Sequence, residues 1–243
     1  MQAPAPRALR DGGPPVIQAT TQELGQRARA LCTDGKRKML GITGAPGAGK
    51  STVCAGLLAM LGDSAQIIGM DGFHFANHEL ERLGRATRKG APDTFDVDGY
   101  AALLGRLRIR HAEPIYGPVF NRGIEESIGS AVAVRPETLL VITEGNYLLL
   151  EDHGWAAVRE HLDQVWFLDV DKSVRAERLV RRRQQFGHTQ AEAEDWVTSV
   201  DQRNASVVDA TRQRADLVVE LVAAPDSITL STTVPEGPAS EPV

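Results

Sequence analysis

Short apolar runs alternate along the chain with longer stretches in which apolar residues recur every three or four positions. The short runs predict strands at residues 38–43 (KMLGIT), 65–70 (AQIIGM), 138–143 (TLLVIT), 164–170 (QVWFLDV) and 215–221 (ADLVVEL). The helical pattern falls at residues 20–32, where Leu24, Ala28 and Leu31 share a face behind two threonines that can cap, and again at 51–61, 96–109, 155–162 and 172–186. Residues 190–211 read as one or two helices, and SITLSTT (227–233) as an additional edge strand. Apolar strands alternating with amphipathic helices imply an α/β fold: a mostly parallel central sheet covered by helices on both faces, in three layers. Ligands in such sheets bind beyond the carboxyl ends of the strands.

The two ends break the pattern. Residues 1–17 and 233–243 are rich in Pro, Gly and Ala without periodicity and read as flexible tails, which leaves one domain at 18–232. A chain of 243 residues, 42% hydrophobic and 24% charged, has the composition of a soluble protein with a single core. Its longest apolar runs fall far short of the roughly 18 residues that a spanning helix needs. The first residues lack the apolar core of a signal peptide, so a cytoplasmic protein with no membrane partner is expected. The net charge of −5 offers no general attraction to a nucleic-acid backbone. Cys32 and Cys54 fall in predicted helices without metal-ligand spacing and read as buried thiols.

Between the first strand and the helix that follows it stands GAPGAGKST: Gly44, Ala45, Pro46, Gly47, Ala48, Gly49, Lys50, Ser51 and Thr52. This is the G-x-x-x-x-G-K-[ST] phosphate loop in its required strand-to-helix context. Its glycines let backbone N–H groups converge on phosphate, Lys50 is placed for the β- and γ-phosphates, and the Ser51 hydroxyl suits Mg²⁺. ATP and Mg²⁺ are thus the expected cofactors. Neither the Asn-Lys-x-Asp guanine motif nor the Leu-Ser-Gly-Gly-Gln signature of transport ATPases occurs. The strand at 138–143 ends on Glu144, a carboxylate able to hold a metal-bound water or simply to terminate the strand. The strand at 65–70 is followed by Asp71, readable as a catalytic carboxylate or as a turn aspartate.

These segments together with RKGAPDTFDVDGY, PVFNR and VITEGNYLLL resemble the phosphoribulokinase, uridine kinase and pantothenate kinase family of P-loop small-molecule kinases, including its bacterial members described as nucleoside/nucleotide kinases or fructose transport system kinases. The resemblance spans about residues 36 to 222. It implies a P-loop NTPase fold in which Asp71 takes the proton from the acceptor hydroxyl, Ser51 and Glu144 lie on the metal side, and Tyr147 lies in the substrate region. It also implies that Arg175–Arg183 belong to an Arg-rich lid over ATP, with Arg178 and Arg182 the expected phosphate contacts. Asp171 reads as that helix's N-cap. His74 is expected to line the substrate pocket and His78 to be at the surface.

The acceptor is less determined. Where uridine kinases carry the aspartate that holds the ribose hydroxyls, this sequence has Gly90. Lys-Gly-x-Pro at this point is similar to pantothenate kinases instead, and Arg122 stands where those enzymes have a histidine. Asp93 and Asp96 either contact a hydroxylated acceptor or order the loop. Arg122 either binds an acceptor oxygen or pairs with Glu125 or Glu126. The expectation is a kinase that phosphorylates a hydroxyl of a sugar, sugar acid or pantothenate-like metabolite. The alternatives are a nucleoside kinase and a nucleotide-binding regulator without a small-molecule acceptor, and a homodimer is compatible with each.

Overall fold

The structure is a computed structural model and describes residues 12–222. In chain order the elements are β1 (Val16–Ala19), α1 (Thr21–Ala30), β2 (Lys38–Thr43), α2 (Lys50–Leu61), β3 (Ala65–Gly69), α3 (Asn77–Arg82), α4 (Val97–Arg108), β4 (Ile115–Asn121), β5 (Glu126–Val134), β6 (Leu140–Glu144), α5 (Ala156–Glu160), β7 (Gln164–Asp169), α6 (Lys172–Gln185), α7 (Gln190–Trp196), a π turn (Val197–Asp201), α8 (Gln202–Asp209) and β8 (Leu217–Leu221). Six strands form one parallel sheet in the order β1-β8-β7-β2-β6-β3. β4 and β5 form a separate antiparallel hairpin.

Strand side chains alternate between two cores. Leu40, Ile42, Ile142 and Trp166 pack with Leu24 of α1 and Val53 and Leu57 of α2. Met39, Val141, Val165 and Phe167 pack on the other side with Tyr100 and Leu104 of α4, Val158 of α5 and Val208 of α8. Burial on both faces explains why these strands read as continuous apolar runs. α1 starts where the pattern placed it because Thr20 and Glu23 form a reciprocal capping box. Among the described residues no helix is long and apolar enough to cross a membrane.

Two expectations change, and one element was not anticipated. Val16 and Ile17, placed in the tail, belong to β1, which pairs with β8. The hairpin at 115–134 gave no clear apolar run because Gly117, Pro118 and Gly129 interrupt it and much of its surface faces solvent. Cys32 lies past the end of α1 and is half-buried, its thiol 3.6 Å from the Leu139 carbonyl, whereas Cys54 is buried as expected. The proposed edge strand at 227–233 and the tail at 233–243 lie outside the described residues. Because β2, β6 and β3 are parallel neighbours in the sheet, the P-loop, Glu144 and Asp71 all lie at the carboxyl ends of adjacent strands.

Candidate active site

The turn from β2 into α2 adopts a conformation that only glycine permits readily. Gly44, Gly47 and Gly49 have φ of 146°, 81° and 88°, and a Cβ on Gly47 would lie 2.8 Å from the Arg175 carbonyl. The Lys50 ammonium donates to Gly44 O at 2.8 Å, Ala45 O at 3.2 Å and Asn146 Oδ1 at 2.7 Å. Burial lowers its pKa to about 8 against the pull of Glu144 and Asp71. Ala45 and Ala48 of the loop are buried, and Thr52 is exposed on the first turn of α2.

The Ser51 hydroxyl lies 3.0 Å from each oxygen of Glu144. Burial raises the Glu144 pKa, with Lys50 opposing the shift. A hydroxyl and a carboxylate side by side form an all-oxygen donor pair of the kind that suits Mg²⁺ together with phosphate oxygens.

Asp71 follows β3 on a single 3₁₀ turn, Met70–Phe73. Gly72 lets this turn pack directly on the hairpin, since a Cβ there would lie 2.7 Å from Pro118 O. His74 Nδ1 lies 2.8 Å from the Asp71 carbonyl, and its ring sits 4.0 Å from Phe95 and 4.8 Å from Phe120. Burial pushes the His74 pKa down, which favours the neutral ring. His74 lines the cavity and braces the Asp71 turn; His78 is exposed. Arg122, just past β4, donates from Nη2 to Asp71 Oδ2 at 3.2 Å. The Glu125 or Glu126 pairing is therefore not the one observed; Glu126 instead accepts from the Asn77 backbone N–H at 3.0 Å.

Asp71, Lys50, Ser51, Glu144, His74, Arg122 and Arg182 line one cavity of about 600 Å³. Other expected site residues lie behind its walls. Tyr147 is buried and donates from its hydroxyl to Gly90 O at 2.6 Å, so it supports the acceptor loop instead of meeting the cavity. Asp96 caps α4 by accepting from Gly99 N at 2.9 Å. Asp93 is held by Arg88 and, at 3.5 Å, by Arg85, which orders the loop. Neither aspartate lines the cavity, because each carboxylate is committed to its own segment.

The lid arginines divide by position. Arg182 lines the cavity, and Arg178 points at the P-loop, 3.4 Å from Gly47 O, without lining it. Arg175 is buried and ties α6 to α8 through Asp209 at 3.0 Å. Asp171 caps α6 by accepting from Ser173 N at 2.7 Å. Arg183, the end of the segment read as a lid, lines the cavity as well, and so do residues to which the sequence assigned no role: Asn146, Lys89, Phe120, Trp196 and Asp201. Lys89 donates to Asn77 Oδ1 at 2.6 Å and Glu125 O at 2.5 Å, with its charge 5.1 Å from the Phe120 centroid. Its neighbour Gly90 was informative, but nothing in the spacing distinguished Lys89 from a solvated lysine.

Comparison with known proteins places the chain in a family. Residues 39–227 match the sequence model of the Phosphoribulokinase / Uridine kinase family. The chain is 31% identical over 209 residues to a protein of Schizosaccharomyces pombe named "Putative uridine kinase", covering 82% of this chain and 89% of that one. It is 28% identical over 190 residues to a uridine kinase of Leuconostoc citreum, covering 76% and 87%. A crystal structure from Silicibacter sp. TM1040, described as a "putative fructose transport system kinase", superposes with a TM-score of 0.74 at 35% identity, covering 82% of this chain and 98% of that one. With the family's sequence model matched over residues 39–227 and a relative 31% identical over most of both chains, the chain belongs to the phosphoribulokinase / uridine kinase family and is a P-loop kinase.

Proposed function

We propose that this protein transfers the γ-phosphate of Mg²⁺-bound ATP to a hydroxyl of a small polar metabolite that is not a nucleoside. The observation that carries the proposal is the placement of the Asp71 carboxylate, with Arg122 on it at 3.2 Å, in the same cavity as Lys50, Ser51 and Glu144. One end of that cavity is chemically suited to phosphates and the other to an acceptor hydroxyl. The P-loop amides and Lys50 would hold the β- and γ-phosphates of bound ATP, and Ser51 with Glu144 would hold the metal. Bound there, Mg²⁺ neutralises charge on the phosphate oxygens. Asp71 accepts the hydroxyl proton as that oxygen attacks, and Arg182 faces the transferring group.

Arg122 and Lys89 give the acceptor end forked and point-charge donors. These suit a carboxylate, a phosphate or the adjacent oxygens of a sugar. The nucleoside reading, prompted by the names of two relatives, is opposed by Gly90. This residue lines the cavity with no other atom within 4 Å of where its Cβ would stand, and the nearby Asp93 carboxylate is already held by two arginines. The Gly90 position therefore offers no carboxylate to ribose hydroxyls, and a site without that partner there discriminates poorly for the group.

The test is a panel of sugars, sugar acids, pantothenate, uridine and cytidine at equal concentration, read by coupled ADP release. A sugar or hydroxy acid with the highest kcat/KM supports the proposal. A nucleoside in that place, or ATP hydrolysis that no metabolite stimulates, overturns it.

A further inference from the structure

An ammonium has three N–H donors, and Lys50 spends all of them within the protein. Two go to carbonyls of the phosphate loop, Gly44 O at 2.8 Å and Ala45 O at 3.2 Å, and the third goes to Asn146 Oδ1 at 2.7 Å. A phosphate can reach this cation only by displacing one of the three acceptors. Asn146 supplies the only one that belongs to a side chain.

Backbone contacts fix where that side chain starts. Gly145 passes so close to Met70 that a Cβ on it would lie 2.6 Å from Met70 Cβ. Its N–H donates to Ile42 O at 3.2 Å, and Thr43 Oγ1 donates to Asn146 O at 3.1 Å. The turn after β6 is thus tied to the end of β2, beside the phosphate loop. Because an ammonium only donates, the amide oxygen of Asn146 must be the atom on Lys50, which leaves Nδ2 on the other arm of the amide. Nδ2 has no hydrogen-bond partner among the described residues. Nor is it sealed: the buried side-chain atoms without a partner there are Arg175 Nε, Arg183 Nε and Asp201 Oδ2. Asn146 is half-buried and lines the cavity, so an open amide donor stands beside the phosphate-binding cation.

Its direction follows from the sheet. β6 lies between β2 and β3, whereas β7, which leads into the lid helix α6, is the neighbour of β2 on the other side. Asn146 is therefore on the side of the phosphate loop that faces Asp71, toward which the terminal phosphate moves during transfer. We propose that Asn146 is a further catalytic residue that reads the γ-phosphate, its Oδ1 holding Lys50 while its Nδ2 donates to an oxygen of the phosphoryl group in transfer. The proposal rests on the kinase reading above and deepens it. As phosphate enters, Lys50 exchanges the two loop carbonyls for phosphate oxygens and keeps Asn146, so one amide joins the cation to the group it stabilises. ADP has no γ-phosphate to satisfy Nδ2, and the residue favours ATP over the product ADP for that reason.

The experiment compares the parent with Asn146→Ala and Asn146→Asp, by calorimetric titration with Mg-ADP and with the non-hydrolysable Mg-AMP-PNP in the absence of acceptor, and by kcat with the best acceptor of the panel. Ala removes both the oxygen and the donor, whereas Asp keeps an oxygen for Lys50 and removes only the donor. In both variants the preference for AMP-PNP over ADP should fall by roughly tenfold or more, and kcat by roughly a hundredfold. Ala also loosens Lys50 and Asp also adds charge, so a loss common to both identifies the missing donor. Thermal melts identify a variant that fails to fold, and Asp, which has the shape of Asn, keeps the test open if Ala does. A residue that only braced Lys50 would give parental kcat and preference in Asp, or an equal loss of both nucleotides in Ala; either result overturns the role of Asn146 and leaves the kinase reading standing. A parent that binds neither nucleotide, or binds them and phosphorylates no metabolite, overturns the kinase reading and catalysis by Asn146 with it.

Discussion

Glu144 ends strand β6, and Lys50 and Ser51 open α2 directly after the phosphate loop that follows β2, both strands being almost entirely buried. Arg122 and Lys89 instead come from the end of a half-exposed hairpin and a loop. The first group is held by the sheet itself. The second is held by local partners: Tyr147 on Gly90, Trp155 on Pro92 O at 3.0 Å, and Asn77 on Lys89. Phosphate is the same in every kinase of this fold, so its site can be built into rigid strands. The acceptor differs, and its side is assembled from segments that can change without disturbing the core.

If the two sides are energetically separate, substitutions should divide cleanly. Lys50→Ala should have the largest effect, lowering phosphoryl transfer by roughly a hundred- to a thousandfold, and Mg-ATP should no longer raise its melting temperature. An undiminished thermal shift would remove Lys50 from the phosphate site. Arg122→Gln should raise the acceptor KM about tenfold, as expected for a lost charge-assisted hydrogen bond, and leave KM for ATP unaltered. A shift confined to ATP would place Arg122 on the other side of the comparison.

The pH response should also separate them. Lys50, lowered to about 8 in the fold, releases its proton there, whereas the unfolded chain retains it to near the ordinary value of 10.5. The unfolded state therefore binds more protons between about 8 and 10.5, and the ligand-free protein should gain stability as pH rises through that window. Lys50→Met should be the more stable protein at pH 7 and lose that advantage above pH 8. Mg-ATP affinity should weaken above pH 8, by up to about tenfold per pH unit, as the free cation disappears. Melts and binding titrations across pH 7–10 check both signs.

Tyr147→Phe should have the smallest effect. Gly90 O would lose its hydroxyl donor at a cost of about 1 kcal/mol, or roughly 2–4 °C in Tm. Acceptor KM should rise a few-fold and KM for ATP should not move. Equal changes in both constants would show that the acceptor loop and the P-loop behave as one unit.

The same division governs what could be read from the sequence. Sheet, P-loop, Glu144 and Asp71 were legible because buried strands leave apolar runs and phosphate needs glycines and a lysine in fixed order. The β4–β5 hairpin was not, since Gly117 and Pro118 interrupt a surface exposed along much of its length. Asp93, Asp96 and Tyr147 looked like site residues because they sit in informative segments. Whether a side chain faces a cavity or its own backbone depends on packing that spacing does not encode, and here Asp96 turned to Gly99 and Tyr147 to Gly90. Asn146 stood in a segment that carries the resemblance but beside Glu144 and Tyr147, which drew the assignment, and Asp201 lies in an unremarkable run; only the fold brings the two to the cavity.

Asp71 is where the two sides meet, and it tests the account most directly. The measurement is kcat and Mg-ATP affinity of Asp71→Asn with the best acceptor of the panel. The amide keeps the shape of the turn and removes the base, so kcat should fall by roughly two orders of magnitude or more while Mg-ATP still binds. Near-parental kcat would contradict Asp71 as the base and, with it, the assignment of this cavity as the site of transfer to a hydroxyl.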